Sequence, residues 1–180
     1  MGTALSNADA KDFVIRHCIS EGGLPEDARF DAIQLRAKQL TARELLERAK
    51  SLRAAFEGVL LINDRIDVCL AAGADGVHLP SNRIAPERIK KRFGPLIVGV
   101  SCHSANELAQ AEDEGADYAY LSPVYPKPGY APALGLDRFA EAVNRVKIPV
   151  LALGGVTREN EAECVAAGAA GIAGISYFFY

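Results

Sequence analysis

What would place this chain outside the cell, in a membrane or on nucleic acid is missing from it. Its four cysteines, Cys18, Cys69, Cys102 and Cys164, are scattered with no CxxC spacing. Cys69 and Cys164 occupy comparable positions in repeated segments and read as small core residues rather than redox groups. No apolar stretch reaches the roughly 20 residues needed to span a bilayer, and the opening MGTALSNADAKDF carries no signal-peptide pattern. A cytoplasmic protein with no membrane partner is the expectation. The formal charge is −3, which argues against nucleic acid, since that partner needs a positive footprint. There are three histidines, few enough to weigh one by one.

What is present is apolar content and repetition. At 180 residues and 49% hydrophobic content, the chain can bury the core of one domain spanning 1–180. The stretch Pro149–Ser176, PVLALGGVTRENEAECVAAGAAGIAGIS, predicts a strand, a Gly-Gly loop, a Thr157-capped helix with Ala162, Val165 and Ala166 on one face, and a second strand. Gly58–Pro80 and Leu96–Pro123 repeat that order, with turns aligned at Gly73, Gly115 and Gly168. Glycine there suits the left-handed position that closes a helix. Three βαβ units supply six strands, and Ala32–Leu35 supplies another, the pattern of a parallel α/β barrel or a doubly wound sheet.

The rest of the chain frames those units. A helix capped by Ser6 or Asn7 is expected to run to about Ser20. Thr41 with Glu44, and Ser104 with Glu107, have capping-box spacing. Leu45, Leu46, Ala49 and Leu52 are the expected buried face of the helix after Thr41. Pro86–Phe93 reads as an exposed basic helix, and Asp137–Val146 as another helix. Ser122–Leu134 is a Pro-rich loop long enough to cover a site. Only Met1–Leu5 stands where a first strand belongs, and only YFFY follows Ser176. The fold class expected is therefore α/β, a TIM (βα)8-type barrel lacking its first strand and last helix. The edges of Ala32–Leu35 and Gly171–Ser176 would then lie open, which makes a homo-oligomer an expected state.

Polar residues cluster at the carboxyl ends of the strands, where such barrels do chemistry. Gly154-Gly155 before a helix suits backbone contact with a phosphate, although Gly-Gly also serves as a plain tight turn. Ser176 lies at the neighbouring strand end. Arg36 and Lys38 leave one strand on the same side and suit a second anion, or are solvated charge. Asp64 is a candidate Mg²⁺ ligand or a helix cap beside Arg65. His103 follows a strand into a helix and is placed as an acid or base near neutral pH. His78 lies within a strand and reads as structural, and His17 falls on the expected surface helix. Gln34, Asn63, Ser101, Ser122 and Lys127 complete the candidate ligand-binding set.

These residues carry a resemblance. Through IQLRAK, LLINDRIDVCLAAGADGVHL, VGVSCHS, EGADYAYLSPVYP, PGYAPALGL and PVLALGGV, the chain resembles the thiamine phosphate synthase/TenI family over almost its whole length. The resemblance implies a (βα)8 barrel whose first strand ends near an ITD motif, absent here. It implies one of two activities. A synthase joins an aminopyrimidine diphosphate to a thiazole phosphate, with Mg²⁺ assisting diphosphate loss. A TenI-type tautomerase moves a proton on a thiazole carboxylate phosphate through a histidine, without metal. By motif match, Gln34, Arg36 and Lys38 would face the pyrimidine diphosphate and Asn63 its ring or diphosphate. Asp64 would hold the metal, and Gly154, Gly155 and Ser176 the thiazole phosphate.

Departures bear on the choice between them. After GVHL, where synthases usually read Gly-Gln-x-Asp, this chain reads Pro80-Ser81-Asn82-Arg83, so a cation stands where the second Mg²⁺ carboxylate would. The PTxTK loop is cut to Pro126-Lys127, and the acid of the usual arginine–acid–lysine motif is Ala37. The resulting expectation is a small phosphorylated heterocycle as partner and metal-free proton transfer, with His103 and Lys38 catalytic and no certain cofactor. Mg²⁺-dependent thiamine phosphate synthesis is the alternative, and a non-catalytic phosphate-ligand binder the second alternative.

Overall fold

The computed structural model describes residues 15–25, 30–126 and 132–179. Eight parallel strands pair in sequence order and close on themselves: β1 Ile15–Ser20, β2 Ala32–Leu35, β3 Val59–Asn63, β4 Gly76–Leu79, β5 Ile97–Cys102, β6 Tyr118–Leu121, β7 Val150–Ala152 and β8 Gly171–Gly174. The helices are α1 Ala42–Ala55, α2 Ile66–Ala72, α3 Pro86–Phe93, α4 Ala105–Asp113, α5 Gly135–Val143, α6 Glu161–Ala166 and the single turn α7 Ser176–Phe179. The barrel expected from the repeats is therefore present.

The first strand is present too, which corrects the strand count. Ile15–Ser20, expected as the end of a helix, is β1. It pairs with β2 (Ser20 opposite Leu35) and with β8 (Cys18 opposite Gly174). In this six-residue run Ile15, Cys18 and Ile19 sit at helical spacing, but the run is too short for that period to decide. The two flanking strands break the tie, because each would otherwise leave a row of backbone N–H and C=O groups unpaired. Neither β2 nor β8 has an open edge, so the expected route to self-association is removed. The rest of the expected helix, and Met1–Leu5, lie outside the described residues.

At the other end, Tyr177–Phe179 does not hang free. The chain turns into α7, which buries Phe178 against the outer wall of the barrel with Cys18 and Ile33. Its ring meets Phe30 edge-on, centroids 6.1 Å apart. Arg16 Nη2 lies 2.7 Å from Glu161 Oε1, and the Tyr177 hydroxyl donates to Glu161 Oε2 at 2.6 Å. Those two contacts tie α6 and α7 to β1.

Local signals act as read in several places. Thr41 and Glu44 form a reciprocal capping box on α1, and Ser104 accepts from the Glu107 N–H at the start of α4. Gly73, Gly115 and Gly168 all have positive φ, at 66°, 80° and 97°. Two expectations fail. Leu46 is only half-buried on α1, and on α6 the buried residue is Cys164 while Ala162 and Ala166 are exposed. The six-residue α6 offers too little length for a periodic face to form.

Two apolar shells lie between sheet and helices, one around Phe139, Leu108 and Ile172, the other around Ile33, Leu45, Leu60 and Ile89. Fully burying a side chain such as Phe139 contributes about 2–3 kcal/mol. The barrel interior is a third cluster, Ile19, Ala32, Leu61, Leu151 and Ala173 around the rings of Tyr118 and Tyr120. Tyr118 fits inside because Gly99 faces it. A Cβ at Gly99 would lie 2.0 Å from that ring.

Candidate functional site

The strand ends open into a cavity of about 560 Å³ at the carboxyl end of the barrel. The end of β2 contributes Gln34, Arg36 and Lys38, and the end of β3 contributes Asn63 and Asp64. β5 adds Ser101 and His103, and β6 adds Ser122. The loop after β7 adds Gly154 and Gly155, and the start of α7 adds Ser176. Period-two geometry brings these groups together: alternate residues of each strand point inward, and the last inward one meets the opening. Lys127 and the middle of the Pro-rich loop, residues 127–131, lie outside the described residues.

Gln34 is fully buried at the pocket wall. Its Nε2 donates to Asn63 Oδ1 at 3.1 Å, and its Oε1 has no partner among the described residues. A buried carbonyl left this way is an acceptor waiting for a donor N–H or O–H. Asn63, having spent its oxygen on Gln34, turns the N–H₂ side toward acceptors such as phosphate oxygens. Beside it Asp64 adopts φ 60°, a left-handed backbone that costs a non-glycine residue roughly 1 kcal/mol or more. Its N–H donates to the His78 carbonyl at 2.9 Å. Among the described residues, no three His, Cys, Asp or Glu side chains gather to form a metal cage.

Arg83 corrects an expectation. It does not stand in the cavity as a substitute for a metal ligand. Its Nη2 lies 2.7 Å from Glu114 Oε2 and its Nη1 donates to the Ser81 carbonyl at 3.2 Å. The residues of this loop that do line the cavity are Pro80, Ser81 and Asn82.

The Gly154-Gly155 loop also differs from the helix-end site expected. α6 begins only at Glu161, so no helix end stands behind the glycines, and Thr157 is not its cap. Instead both glycines are left-handed, φ 89° and 71°. A Cβ would approach Pro123 within 2.8 Å at Gly154 and Tyr125 within 2.7 Å at Gly155. The loop is fastened to the one after β6, Tyr125 N–H donating to the Gly154 carbonyl at 3.0 Å. Asn160 buttresses it from below, its Nδ2 donating to the Gly155 carbonyl at 3.1 Å. Among the described residues, the N–H groups of Gly154, Gly155 and Val156 donate to no backbone acceptor. Backbone N–H groups left unspent in a tight turn beside a cavity are available to an anion.

His103 Nδ1 lies 2.8 Å from the Ser122 carbonyl. A carbonyl can only accept, so Nδ1 carries the proton and Nε2 is left as a base. His78 is buried as expected, with Nδ1 2.9 Å from the Tyr118 hydroxyl and Nε2 2.8 Å from Ser101 Oγ. Its ring stacks on Tyr120, centroids 4.0 Å apart. His17 was placed on a surface helix by the sequence. It is instead inside the barrel, Nδ1 3.2 Å from the Tyr120 hydroxyl. Burial lowers His17 to about 3 and holds His78 well below its ordinary value. Burial also raises the Tyr118 and Tyr120 phenols, so all four rings stay neutral. Tyr120 was missed from sequence, although Tyr118-Ala119-Tyr120 carries the signal: alternate residues of one strand share a face.

The cysteines are buried. Burial raises Cys18 and Cys102 to about 12 and Cys69 to about 11, which leaves them as thiols in the core. No helix among the described residues is long and apolar enough to cross a membrane.

Known proteins are similar to this chain in sequence and in fold. The thiamine monophosphate synthase family matches residues 25–178. A putative thiamine-phosphate synthase from Geobacter sulfurreducens is 44% identical over 165 residues, 88% of this chain and 76% of the relative. A putative thiamine-phosphate synthase 2 from Aquifex aeolicus is 45% identical over 151 residues, 81% of each chain. The solved thiamine phosphate pyrophosphorylase from Pyrococcus furiosus superposes with a TM-score of 0.80 at 34% identity, covering 93% of this chain and 87% of that one. A closed barrel with polar groups at its strand ends, matched from residue 25 to residue 178, makes this chain a member of the thiamine monophosphate synthase family.

Proposed function

We propose that this chain is a thiamine phosphate synthase, joining an aminopyrimidine diphosphate to a thiazole phosphate. The observation that supports this reading is that one cavity is lined both by Arg36, Lys38 and Asn63 and by Gly154, Gly155 and Ser176, two groups whose chemistry suits two anions. A coupling of two phosphorylated rings needs a place for a diphosphate as well as for a phosphate, and the pair Arg36 and Lys38 suits the more highly charged of the two. The Geobacter sulfurreducens and Aquifex aeolicus relatives are named putative thiamine-phosphate synthases, which favours this reading over the proton-transfer reading preferred from sequence.

In the coupling, the C–O bond between the pyrimidine methylene and the diphosphate breaks. A C–N bond forms from the thiazole nitrogen lone pair to that carbon, and diphosphate leaves. No proton needs to move. Gln34 Oε1 accepts from the pyrimidine amino group, orienting the ring. Arg36, Lys38 and Asn63 hold the diphosphate and offset the charge it gathers on leaving. Gly154, Gly155 and Ser176 hold the thiazole phosphate so that its nitrogen faces the methylene. Asp64 is the carboxylate that would hold Mg²⁺ beside the diphosphate, and the charge such an ion would supply there is what would ease departure of the leaving group. Removing Arg83 from the cavity takes away the objection that a cation blocks it.

The test is thiamine phosphate formation from the two substrates with and without Mg²⁺. Product formed only with Mg²⁺ supports the reading, and no product under either condition refutes it. A second reading rests on His103, whose free Nε2 suits metal-free proton transfer on a thiazole carboxylate phosphate. Proton exchange on that ligand, lost in His103→Gln and indifferent to chelator, would select it.

A further inference from the structure

Two walls of the cavity, the glycine turn after β7 and the start of α7, are fastened to consecutive residues, Asn160 and Glu161. Asn160 holds the turn. Its Oδ1 accepts from the Thr157 N–H at 2.8 Å, and its Nδ2 donates to the Gly155 carbonyl at 3.1 Å. One side chain thus closes the loop from Gly155 to Asn160 onto itself, with both of its polar ends used. The other wall is Ser176, the first residue of α7. The link to that wall is Glu161, the first residue of α6.

The Glu161 carboxylate receives two donors from different elements. Tyr177, next to Ser176 in α7, donates its hydroxyl to Oε2 at 2.6 Å, and Arg16 of β1 donates from Nη2 to Oε1 at 2.7 Å. The Glu161 side chain is only 16% exposed, so both bonds are charge-assisted and largely out of solvent, where such bonds are strong. A second contact joins the same two walls: the Arg158 guanidinium, from the loop after the glycines, lies over the Tyr177 ring at 5.9 Å from its centroid. Tyr177 is also seated close on the end of β8, where a Cβ added at Gly174 would lie 3.1 Å from the Tyr177 Cβ.

We propose that Glu161 is a positioning residue for the phosphate end of the cavity: through Tyr177 it holds Ser176 at a set distance from the turn that Asn160 holds at Gly155. A phosphate contacted from both walls needs them spaced to its own width, and a hydroxyl already held there costs less to order on binding. The contacts belong to the chain itself; their use by thiazole phosphate rests on the synthase reading.

The test is a cycle of Tyr177→Phe with Ser176→Ala in the full-length protein, read by calorimetry with thiazole phosphate and by steady-state coupling. Tyr177→Phe deletes one hydroxyl and keeps the ring. Alone it should weaken thiazole phosphate binding about threefold to fivefold and raise the KM for that substrate to match, with kcat and the KM for aminopyrimidine diphosphate held within about twofold. In the Ser176→Ala background it should weaken binding by less than about 1.5-fold, because a residue that acts through Ser176 then has nothing left to position. Glu161→Ala should weaken binding at least as much as Tyr177→Phe. Glu161→Gln, which keeps an oxygen for the Tyr177 hydroxyl, should recover most of that loss, and this pair gives the same decision if Tyr177→Phe does not fold. A tie that serves stability alone would lower the melting temperatures and leave thiazole phosphate affinity unchanged, which overturns the proposal. So does an equal loss from Tyr177→Phe with and without the Ser176 hydroxyl. A wild type that binds no thiazole phosphate overturns the proposal together with the site assignment. Binding that follows the cycle in a protein that couples no substrates would keep the proposal and refute the synthase reading.

Discussion

Arg83 Nη2 sits 2.7 Å from Glu114 Oε2, with the arginine side chain only 4% exposed. This pair takes the guanidinium into the seam between the β4–α3 loop and the end of α4. Among the described residues, the charged side chains that line the cavity are consequently Arg36, Lys38 and Asp64.

Replacing Arg83 tests that separation. Arg83→Ala leaves Glu114 part-buried and without its cation, at a cost of about 2 kcal/mol, discounted because the acid keeps some solvent. Arg83→Asp puts a carboxylate where the family motif has one but aims it at Glu114. Its Mg²⁺ response in the coupling assay should match that of the alanine variant, with lower thermal stability. A sharply lower Mg²⁺ requirement in Arg83→Asp would show that the loop swings into the cavity.

Asp64 separates function from stability. Its left-handed backbone is disfavoured for a side chain and free for glycine. Asp64→Gly should therefore raise stability by about 1 kcal/mol in a denaturant melt while Mg²⁺-dependent coupling falls by roughly a hundredfold, the scale of losing one electrostatic stabiliser. Asp64→Asn tolerates the same backbone and removes only the charge. It should lose coupling to a similar degree with little change in stability. Retained coupling in both variants would remove Asp64 from the site.

The phosphate concavity calls for a variant that spares its backbone. Gly155→Val would abolish thiazole phosphate binding, but a side chain there also runs into Tyr125, so that loss reports on the loop as well. Ser176→Ala leaves the fold untouched and removes one hydroxyl donor. Calorimetry should show thiazole phosphate binding weakened by about fivefold to tenfold, with the diphosphate substrate unaffected. Equal weakening of both ligands would argue against two separate anion ends.

Acid exposes the inner histidines. His17 titrates near 3 in the fold against an ordinary 6.5, because burial penalises its charged form. Below 6.5 the unfolded chain takes up a proton that the folded chain refuses, so stability falls as pH drops from 6.5 toward 3. The slope for one such group is about 1.4 kcal/mol per pH unit. His78 acts in the same direction. Urea melts between pH 7 and pH 4.5 should show this loss, and His17→Leu should reduce the slope by one proton whatever it does to stability at pH 7. An unchanged slope would mean that His17 is not buried neutral.

The tail gives the last prediction. Phe178 fills the outer wall beside Cys18, so Phe178→Ala should cost about 3 kcal/mol as a cavity in a packed shell. Phe179, more than a third exposed, should change stability by less than about 0.5 kcal/mol when made alanine. Similar melting temperatures for the two variants would show that α7 does not dock.

Much of the site was legible because its signals are local. A strand alternates its side chains every second residue, so Gln34 with Arg36 and Lys38 could be placed at one opening from spacing alone. The repeated helix-closing glycines placed the neighbouring strand ends, and with them Asn63, Ser101 and Ser176. Caps at Thr41 and Ser104 depend on side chains three residues apart, and they too needed nothing distant.

What could not be read belongs to register and to partners far away in the chain. Ile15–Ser20 is a strand because β2 and β8, the latter some 150 residues on, each need a hydrogen-bonding neighbour. That demand leaves no mark within the six residues themselves. Once β1 takes its place, period two turns His17 inward to Tyr120, which no helical reading would allow. Arg83 turns away from the cavity because Glu114 waits on another helix, and Asp64 bears a left-handed backbone because its N–H is held by His78. The repeating βαβ units and the ring of polar strand ends follow from short-range periodicity alone. Only closure of the barrel decided the first strand, the buried histidine and the direction of the arginine, because each is fixed by a hydrogen bond or ion pair to a residue that sequence distance conceals.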